Sequence, residues 1–327
     1  MAVKVLVTGG MGFIGSNFIR YLLKEIGGVI VMNCDKLTYA GNPANLVDVA
    51  AMHEYTVTHE DISDRVAMDR LIGSFEPDLI FNFAAESHVD RSIVDCSPFV
   101  ESNVAGTAVL LDMVRQYEIK RFVQVSTDEV YGTLLPGDPL WTEESPLLPN
   151  SPYAASKASA DFLVRSFYRT HGLSVVTTRS SNNYGPWQHV EKFIPVIITR
   201  AVQDKPIPVY GKGENVRDWL YVHDNCRGIW LAGTEGESGE TYNFGGGAEV
   251  QNIELCKTVL DVLGKPYDLI EFVADRPGHD LRYGLCYDKA RDKLGWRPKV
   301  TYDSGLSKTV QWYVKHEDWW RELLEMS

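Results

Sequence analysis

The stretch KVLVTGGMGFIG, residues 4–15, decides the fold of this 327-residue chain. An apolar run of strand length, Lys4–Thr8, ends in glycines and passes directly into an apolar-periodic run, Phe13–Lys24. The glycines read as G-x-G-x-x-G from Gly10 or as G-x-x-G-x-x-G from Gly9. On either reading the first glycines, Gly9 and Gly12 among them, permit a tight turn and close approach of backbone to a pyrophosphate. Gly15 lets the helix pack closely on the strand. A helix starting at Phe13 and Ile14 offers unpaired N–H groups to that anion. Tight turns use glycine for other reasons, so context gives the pattern its force. A strand precedes it, a helix follows, and Asp35 lies 20 residues beyond Gly15, at the end of the second strand candidate. A carboxylate there bonds an adenosine ribose and repels a 2′-phosphate, which favours NAD over NADP; the adjacent Lys36 pulls the other way. Asp61 ends the third strand candidate, where it either reaches the adenine or simply shapes a turn.

Outward from this stretch, strand-length and helix-length runs alternate. Strands are expected at Lys4–Thr8, Val29–Asn33, Tyr55–His59, Leu79–Phe83, Phe122–Ser126 and Val175–Thr178. Helices are expected at Phe13–Lys24, Val66–Phe75, Pro98–Tyr117 and Pro152–Thr170. Strands separated by helices imply βαβ units and an α/β fold with a doubly wound parallel sheet of Rossmann type. After about residue 185 glycines and prolines punctuate shorter elements, as in Pro206–Pro208, Gly211–Gly213 and Gly245–Gly247. We expect a nucleotide-binding domain over 1–185 and a smaller α/β substrate domain over 186–327. The two are partly interleaved, because Leu220–Val222 and Tyr242–Phe244 read as strands returning to the first domain near 218–245.

Composition narrows the partners. Lys plus Arg number 32 against 44 Asp plus Glu, a formal charge of −12. That balance argues against nucleic acid, which needs a cationic surface, and against an anionic membrane. No apolar stretch approaches the roughly 20 residues of a membrane span. The start, MAVKVLVTGG, lacks the shape of a signal peptide. Five scattered cysteines form no C-x-x-C and no clustered His/Cys pattern, so we expect reduced thiols, no metal and a cytoplasmic setting.

Tyr153-Ala-Ala-Ser-Lys157 places a phenol and an ammonium at i and i+4, on one helix face. Of 16 tyrosines this is the only one with Lys four residues later. A nearby cation stabilises phenolate, so Lys157 is expected to lower the Tyr153 pKa from its ordinary value of about 10. Such a phenol takes a proton from a sugar hydroxyl while hydride leaves the same carbon for NAD. Thr127-Asp128-Glu129 follows the fifth strand candidate at its carboxyl end, where sites in such sheets form. Adjacent residues on a regular strand point to opposite faces, so joint action of the two carboxylates requires the strand to end by about Ser126.

The motif set resembles the extended short-chain dehydrogenase/reductases, and within them the nucleotide-sugar 4,6-dehydratases. Matching segments run in order through the chain: DKLTYAGN (35–42), AAESHVDRSI (84–93), STDEVYG (126–132), SPYAASKASAD (151–161), RSSNNYGP (179–186), EKFIP (191–195), NVRDWLYVHD (215–224) and DRPGHDLRY (275–283). The resemblance implies that Tyr153, with Lys157, deprotonates the C4 hydroxyl as hydride passes to NAD. Glu129 then removes the C5 proton, Asp128 protonates the leaving C6 oxygen, hydride returns to C6 and C5 is reprotonated. Thr127 is implied as a contact of the C4 oxygen. Lys36, Thr38, Asp61, Ile62, Ala84 and Asn183 are implied on the cofactor side. Ser87, Asn182, Lys192, Pro208, Tyr210, Arg217, Asn252, Asp275 and His279 are implied on the substrate side, with Arg217 as a phosphate contact.

The implied substrate is a nucleoside-diphosphate sugar, dTDP-glucose before UDP-glucose, and the implied cofactor is tightly held NAD. Position 281 is Leu where many relatives carry Arg, which leaves Arg282 as the second cation of that loop. A homodimer through Pro98–Tyr117 and Pro152–Thr170 is implied by the same resemblance. Two other readings stand beside this one. A nucleotide-sugar 4-epimerase needs no acid–base pair for elimination, so the two carboxylates speak against it. A non-catalytic NAD-sensing regulator has no use for Tyr153, Lys157, Asp128 and Glu129 together.

Overall fold

The computed structural model describes residues 2–275 and 278–326. Its strands in chain order are β1 (Val3–Thr8), β2 (Val29–Cys34), β3 (Tyr55–Thr58), β4 (Leu79–Asn82), β5 (Arg121–Thr127) and β6 (Val175–Ser180). They continue as β7 (Asn182–Tyr184), β8 (Ile207–Tyr210), β9 (Val216–Tyr221), β10 (Thr241–Phe244), β11 (Glu249–Gln251) and β12 (Ile270–Val273). Seven of them form one parallel sheet in the order β10-β6-β5-β4-β1-β2-β3. From β1 the chain winds outward through β2 to β3, then crosses to the other side of β1 as β4 and continues through β5. Connections that leave in opposite directions open a crevice at the carboxyl ends of β1 and β4.

The sequence of β1 explains its central place. Val5, Leu6 and Val7 are all fully buried. Successive side chains alternate faces, so Val5 and Val7 join one apolar cluster while Leu6 joins another. A strand buried on both faces reads as a continuous apolar run, as this one does. The helices Phe13–Tyr21 and Val222–Glu235 cover one face with Phe18, Ile19, Cys226 and Ile229. The helices Arg65–Phe75, Thr107–Gln116 and Pro152–His171 cover the other with Met68, Ile72, Leu110, Val114 and Val164.

Two expected helices are divided. The first is α-helical only to Tyr21 and widens into a π-helical turn at Leu22–Ile26. Pro98–Tyr117 contains a π-helical stretch, Val100–Gly106, ahead of the α-helix Thr107–Gln116. That stretch places the Ser102 hydroxyl 2.8 Å from the Lys36 ammonium. The expected return of two strands is half met. Tyr242–Phe244 lies in β10, at the edge of the main sheet. Leu220 and Tyr221 instead belong to β9, in a separate sheet of order β11-β9-β7, and Val222 opens a helix. The chain leaves the main sheet after Ser180, and its next strand, β7, pairs with β9.

The second, smaller core packs Ile194, Ile197, Leu255, Val259, Leu306 and Val310 from three helices. Trp320 is fully buried there, and Trp312 and Trp319 pack against the same cluster. All five cysteines are free thiols, with Cys34, Cys226 and Cys256 buried. No helix among the described residues is long and apolar enough to cross a membrane.

Candidate active site

A cavity of about 580 Å³ opens at the carboxyl ends of the central strands and runs into the smaller unit. Its first wall is the glycine loop: Gly9, Gly12, Phe13, Ile14 and Gly15 all line it. Gly9 has φ +69°, and a Cβ there would lie 2.6 Å from the Ala84 nitrogen. Gly15 is needed for a different contact from the expected one. A Cβ on it would lie 2.3 Å from the Gly9 carbonyl oxygen, so it fits the helix to the loop rather than to the strand. Gly12 caps the helix with no side-chain bond and no acidic residue in the first turn. The first amides therefore face the cavity without an internal acceptor.

Asp35 lies at the end of this wall. Its two oxygens accept from the Met11 amide at 2.8 Å and the Leu37 amide at 2.9 Å. Burial raises its pKa against those two bonds. Each oxygen keeps a lone pair for a ligand. Lys36 donates to Asp61 at 3.1 Å and to Ser102 at 2.8 Å, so its charge is already matched by a carboxylate. Asp61 also accepts from the Ser63 amide and hydroxyl at 2.8 and 2.9 Å. It therefore shapes a turn and lines the cavity at once. Thr38, Ile62 and Ala84 complete this end.

The middle of the cavity holds the polar side chains that the sequence singles out for chemistry. Strand β5 runs to Thr127, one residue further than expected, and a 3₁₀ turn, Asp128–Tyr131, begins at once. The turn breaks the strand alternation, so Asp128 and Glu129 both line the cavity. The Thr127 hydroxyl accepts from the Glu129 amide at 3.2 Å and donates to Asp128 at 3.2 Å. Burial first, then the Glu129 and Asp218 carboxylates, push the Asp128 pKa well above the ordinary carboxylate range; the Thr127 bond and Arg217 oppose them. Burial and these two carboxylates thus favour the protonated form of Asp128 beside Glu129.

Tyr153 and Lys157 sit on the helix Pro152–His171, which Ser151 caps through the Ala154 amide. Both line the cavity and both are buried. The expected lowering of the Tyr153 pKa is not what the structure gives. Burial, then Glu129 and Asp128, push its phenol upward, and only a hydrogen bond with Thr127 works the other way. Lys157 donates to the Val125 carbonyl at 2.6 Å, and burial lowers its own pKa to about 8 against the charge of Asp161. Burial and the two carboxylates outweigh the Thr127 bond.

The far end is formed largely by the smaller unit. Ser87, Asn182, Asn183, Lys192, Pro208, Tyr210, Arg217, Asn252 and His279 all line it. Arg217 is buried, donates to the carbonyls of Val216 at 2.8 Å and Asp280 at 3.0 Å, and lies 4.4 Å from the Tyr283 ring centroid. Lys192 reaches the Ser87 carbonyl at 3.2 Å and Glu191 at 3.4 Å. The Oδ1 atoms of Asn182, Asn183 and Asn252 are buried without a protein partner.

Two expected contacts lie off the described lining. Asp275 is not among the described lining residues; it stands behind His279, whose Nδ1 is 2.6 Å from its Oδ1. Arg282 does not face the cavity as a second cation. Its guanidinium forks onto Glu249 at 2.5 and 3.0 Å and onto the Asp138 carbonyl at 2.9 Å. Leu281 is partly exposed and outside the lining. Arg276 and Pro277, within the same 275–279 stretch, lie outside the described residues. The cavity also gains Glu86, His88, Glu191, Trp219 and Tyr283. Each falls inside a segment already quoted for its motif, and that placement was the available signal.

The doubly wound sheet with a glycine loop at its switch point defines a Rossmann-type nucleotide-binding protein. A family model described as GDP-mannose 4,6 dehydratase matches residues 6–309. The chain belongs to that family. A dTDP-glucose 4,6-dehydratase of Neisseria meningitidis is 48% identical, over 99% of this chain and 97% of the relative. The structure of DesIV, a dTDP-glucose 4,6-dehydratase from Streptomyces venezuelae solved with NAD and a dTDP ligand, superimposes with a TM-score of 0.95. It is 48% identical and covers 98% of this chain and all of its own. A UDP-glucose 4-epimerase from Thermotoga maritima is 30% identical with a TM-score of 0.89, covering 96% of this chain and 99% of its own.

Proposed function

We infer that the protein is a nucleotide-sugar 4,6-dehydratase that converts dTDP-glucose to dTDP-4-keto-6-deoxyglucose and water, with NAD retained through the cycle. The observation that carries this reading is the pair Asp128 and Glu129 in one cavity with Tyr153. An epimerase moves hydride out and back; a dehydratase must also remove a C5 proton and expel a hydroxyl. A protonated carboxyl beside a second carboxylate supplies the acid and base those steps need.

The residues fit a dinucleotide. The glycine loop has no side chain where a diphosphate would press, Asp35 keeps acceptor capacity for a ribose, and Asn183 Oδ1 is buried and unpartnered. Lys36 is matched by Asp61, which supports NAD over NADP. NAD when bound accepts the C4 hydride and later returns it to C6. Tyr153, once its own proton has left to water, takes the C4 hydroxyl proton, with Thr127 bonded to its oxygen and Lys157 one turn along the same helix. Glu129 takes the C5 proton once the neighbouring carbon is a ketone, and a proton returns to C5 as hydride reaches C6. Asp128 gives its proton to the departing C6 oxygen. Arg217, Lys192 and the amides of the small unit hold the diphosphate and the sugar.

The division into a nucleotide domain over 1–185, with a returning segment at β10, and a substrate domain over 186–327 follows the same reading. A homodimer through the helices around Pro98–Tyr117 and Pro152–Thr170 is supported by Val100 and Phe162, which are 52% and 58% exposed. A cytoplasmic setting suits free thiols and a nucleotide-sugar substrate.

The test is product mass. The purified protein is given dTDP-glucose or UDP-glucose without added cofactor. Loss of one water from the dTDP sugar is the expected result; unchanged mass with inversion at C4 would replace this reading by the epimerase. A second expectation concerns the glycine loop. Gly15→Ala forces a backbone clash and should cost about 1–3 kcal/mol of stability, as overpacking does. It should also strip cofactor from the purified protein, measured by nucleotide content after denaturation. Full retention would show that the loop yields.

A further inference from the structure

Two separate elements carry the chemistry just proposed. The helix Pro152–His171 carries Tyr153 and Lys157, and the turn Asp128–Tyr131 carries the two carboxylates. One buried cluster behind the cavity joins them. Arg179, on β6, donates through Nε to Asp161 Oδ2 at 2.9 Å and through Nη1 to the Tyr131 hydroxyl at 2.8 Å. Asp161 lies four residues beyond Lys157, on the same face of the helix. Tyr131 is the last residue of the turn. Its hydroxyl donates on to Asn243 Oδ1 at 2.9 Å in β10, and its ring stacks on Trp141 with centroids 5.9 Å apart.

Arg179, Asp161, Tyr131 and Asn243 are all buried. None is among the described residues that line the cavity, so none touches substrate or cofactor. A buried ion pair is poor value as a source of stability, because desolvation cancels most of the attraction. Its geometry is better suited to fixing direction. A guanidinium is a rigid planar fork, and here its two prongs point at two different elements. Asp161 is also the charge that supports the Lys157 ammonium against burial.

We propose that Arg179, with Asp161 and Tyr131, is a positioning unit that holds the proton-transfer turn in register with the helix of Tyr153 and Lys157. The inference rests on the dehydratase reading above. Breaking the unit should leave hydride abstraction near its wild-type rate, because Tyr153, Lys157 and Thr127 all lie outside the turn, and slow the elimination, which needs both elements aligned.

The experiment is single turnover with dTDP-glucose on Tyr131→Phe and Arg179→Lys. Tyr131→Phe keeps the ring and its stack and removes only the hydroxyl; a lysine at 179 keeps the charge but lacks the planar fork. Absorbance of reduced nicotinamide reads the first step, and product mass reads loss of water. We expect the first step near the wild-type rate and water loss roughly 10- to 100-fold slower, the scale of a misplacement near 1 Å, so that reduced cofactor accumulates. Equal slowing of both steps, or a lower melting temperature with the ratio of steps unchanged, would overturn the inference and leave the cluster a stabilising one. Wild-type protein that removes no water from dTDP-glucose would instead sink the functional reading itself.

Discussion

Glu129→Gln should take up hydride from dTDP-glucose and then stop before water is lost. The substitution keeps the size of the side chain and its place in the turn, where the Glu129 amide donates to Thr127 at 3.2 Å. It removes the group assigned to the C5 proton. Loss of a general base costs on the order of 10²–10⁴ in rate, and here the cost should fall on elimination alone. Reduced cofactor should therefore build up in a single turnover while product mass stays that of a sugar with no water lost. A second consequence separates a base from a mere spacer. After burial, Glu129 is the largest influence raising Tyr153, and it acts on Asp128 in the same way. Removing that negative charge lowers the Tyr153 pKa, so the pH profile of the hydride step should move to more acid values. Wild-type turnover by the variant would place the base elsewhere.

The outcome of that experiment depends on features that the sequence exposes unevenly. The glycine loop, Asp35 and the Tyr153–Lys157 spacing are local, and local patterns survive into the fold almost unchanged. β1 reads correctly because a strand buried on both faces must be apolar at every position. The carboxylate pair is legible as a pair, but its joint use required the strand to stop, and only the 3₁₀ turn at Asp128 provides that. Electrostatics are the least legible. Lys157 is one turn from Tyr153 in sequence, yet the Tyr153 pKa is set first by burial and then by Glu129, 24 positions earlier, which the fold brings to the same cavity. Arg282 reads as a substrate cation until Glu249, 33 positions away, is seen to take it. The short strands β7, β9 and β11 pair across long loops, and runs of three to six residues give too little periodicity to place them.

Asp128→Asn should lose the elimination and at the same time make the protein more stable at neutral pH. Asp128 is buried, accepts one bond from Thr127 at 3.2 Å, and has its second oxygen without a protein partner. Burial, Glu129 and Asp218 raise its pKa far above that of the unfolded chain. Below the ordinary carboxylate range both states hold the proton, and the group has no effect on stability. Above that range the unfolded chain releases its proton while the native state keeps it. The native state then binds more protons, so wild-type stability falls as pH rises. Asparagine has no such proton, and the variant escapes the fall. Its melting temperature should match wild type in acid and exceed it increasingly toward neutrality. Activity should drop on the order of 10²–10⁴-fold, because an amide cannot protonate the leaving oxygen. Part of the stability gain is owed to Glu129, so it should shrink when Glu129→Gln is already present, a coupling that a double-mutant cycle reads directly. A melting temperature lowered by the same amount at every pH would mean that Asp128 is ionised in the native state, and the acid of the reaction would have to be sought in another residue.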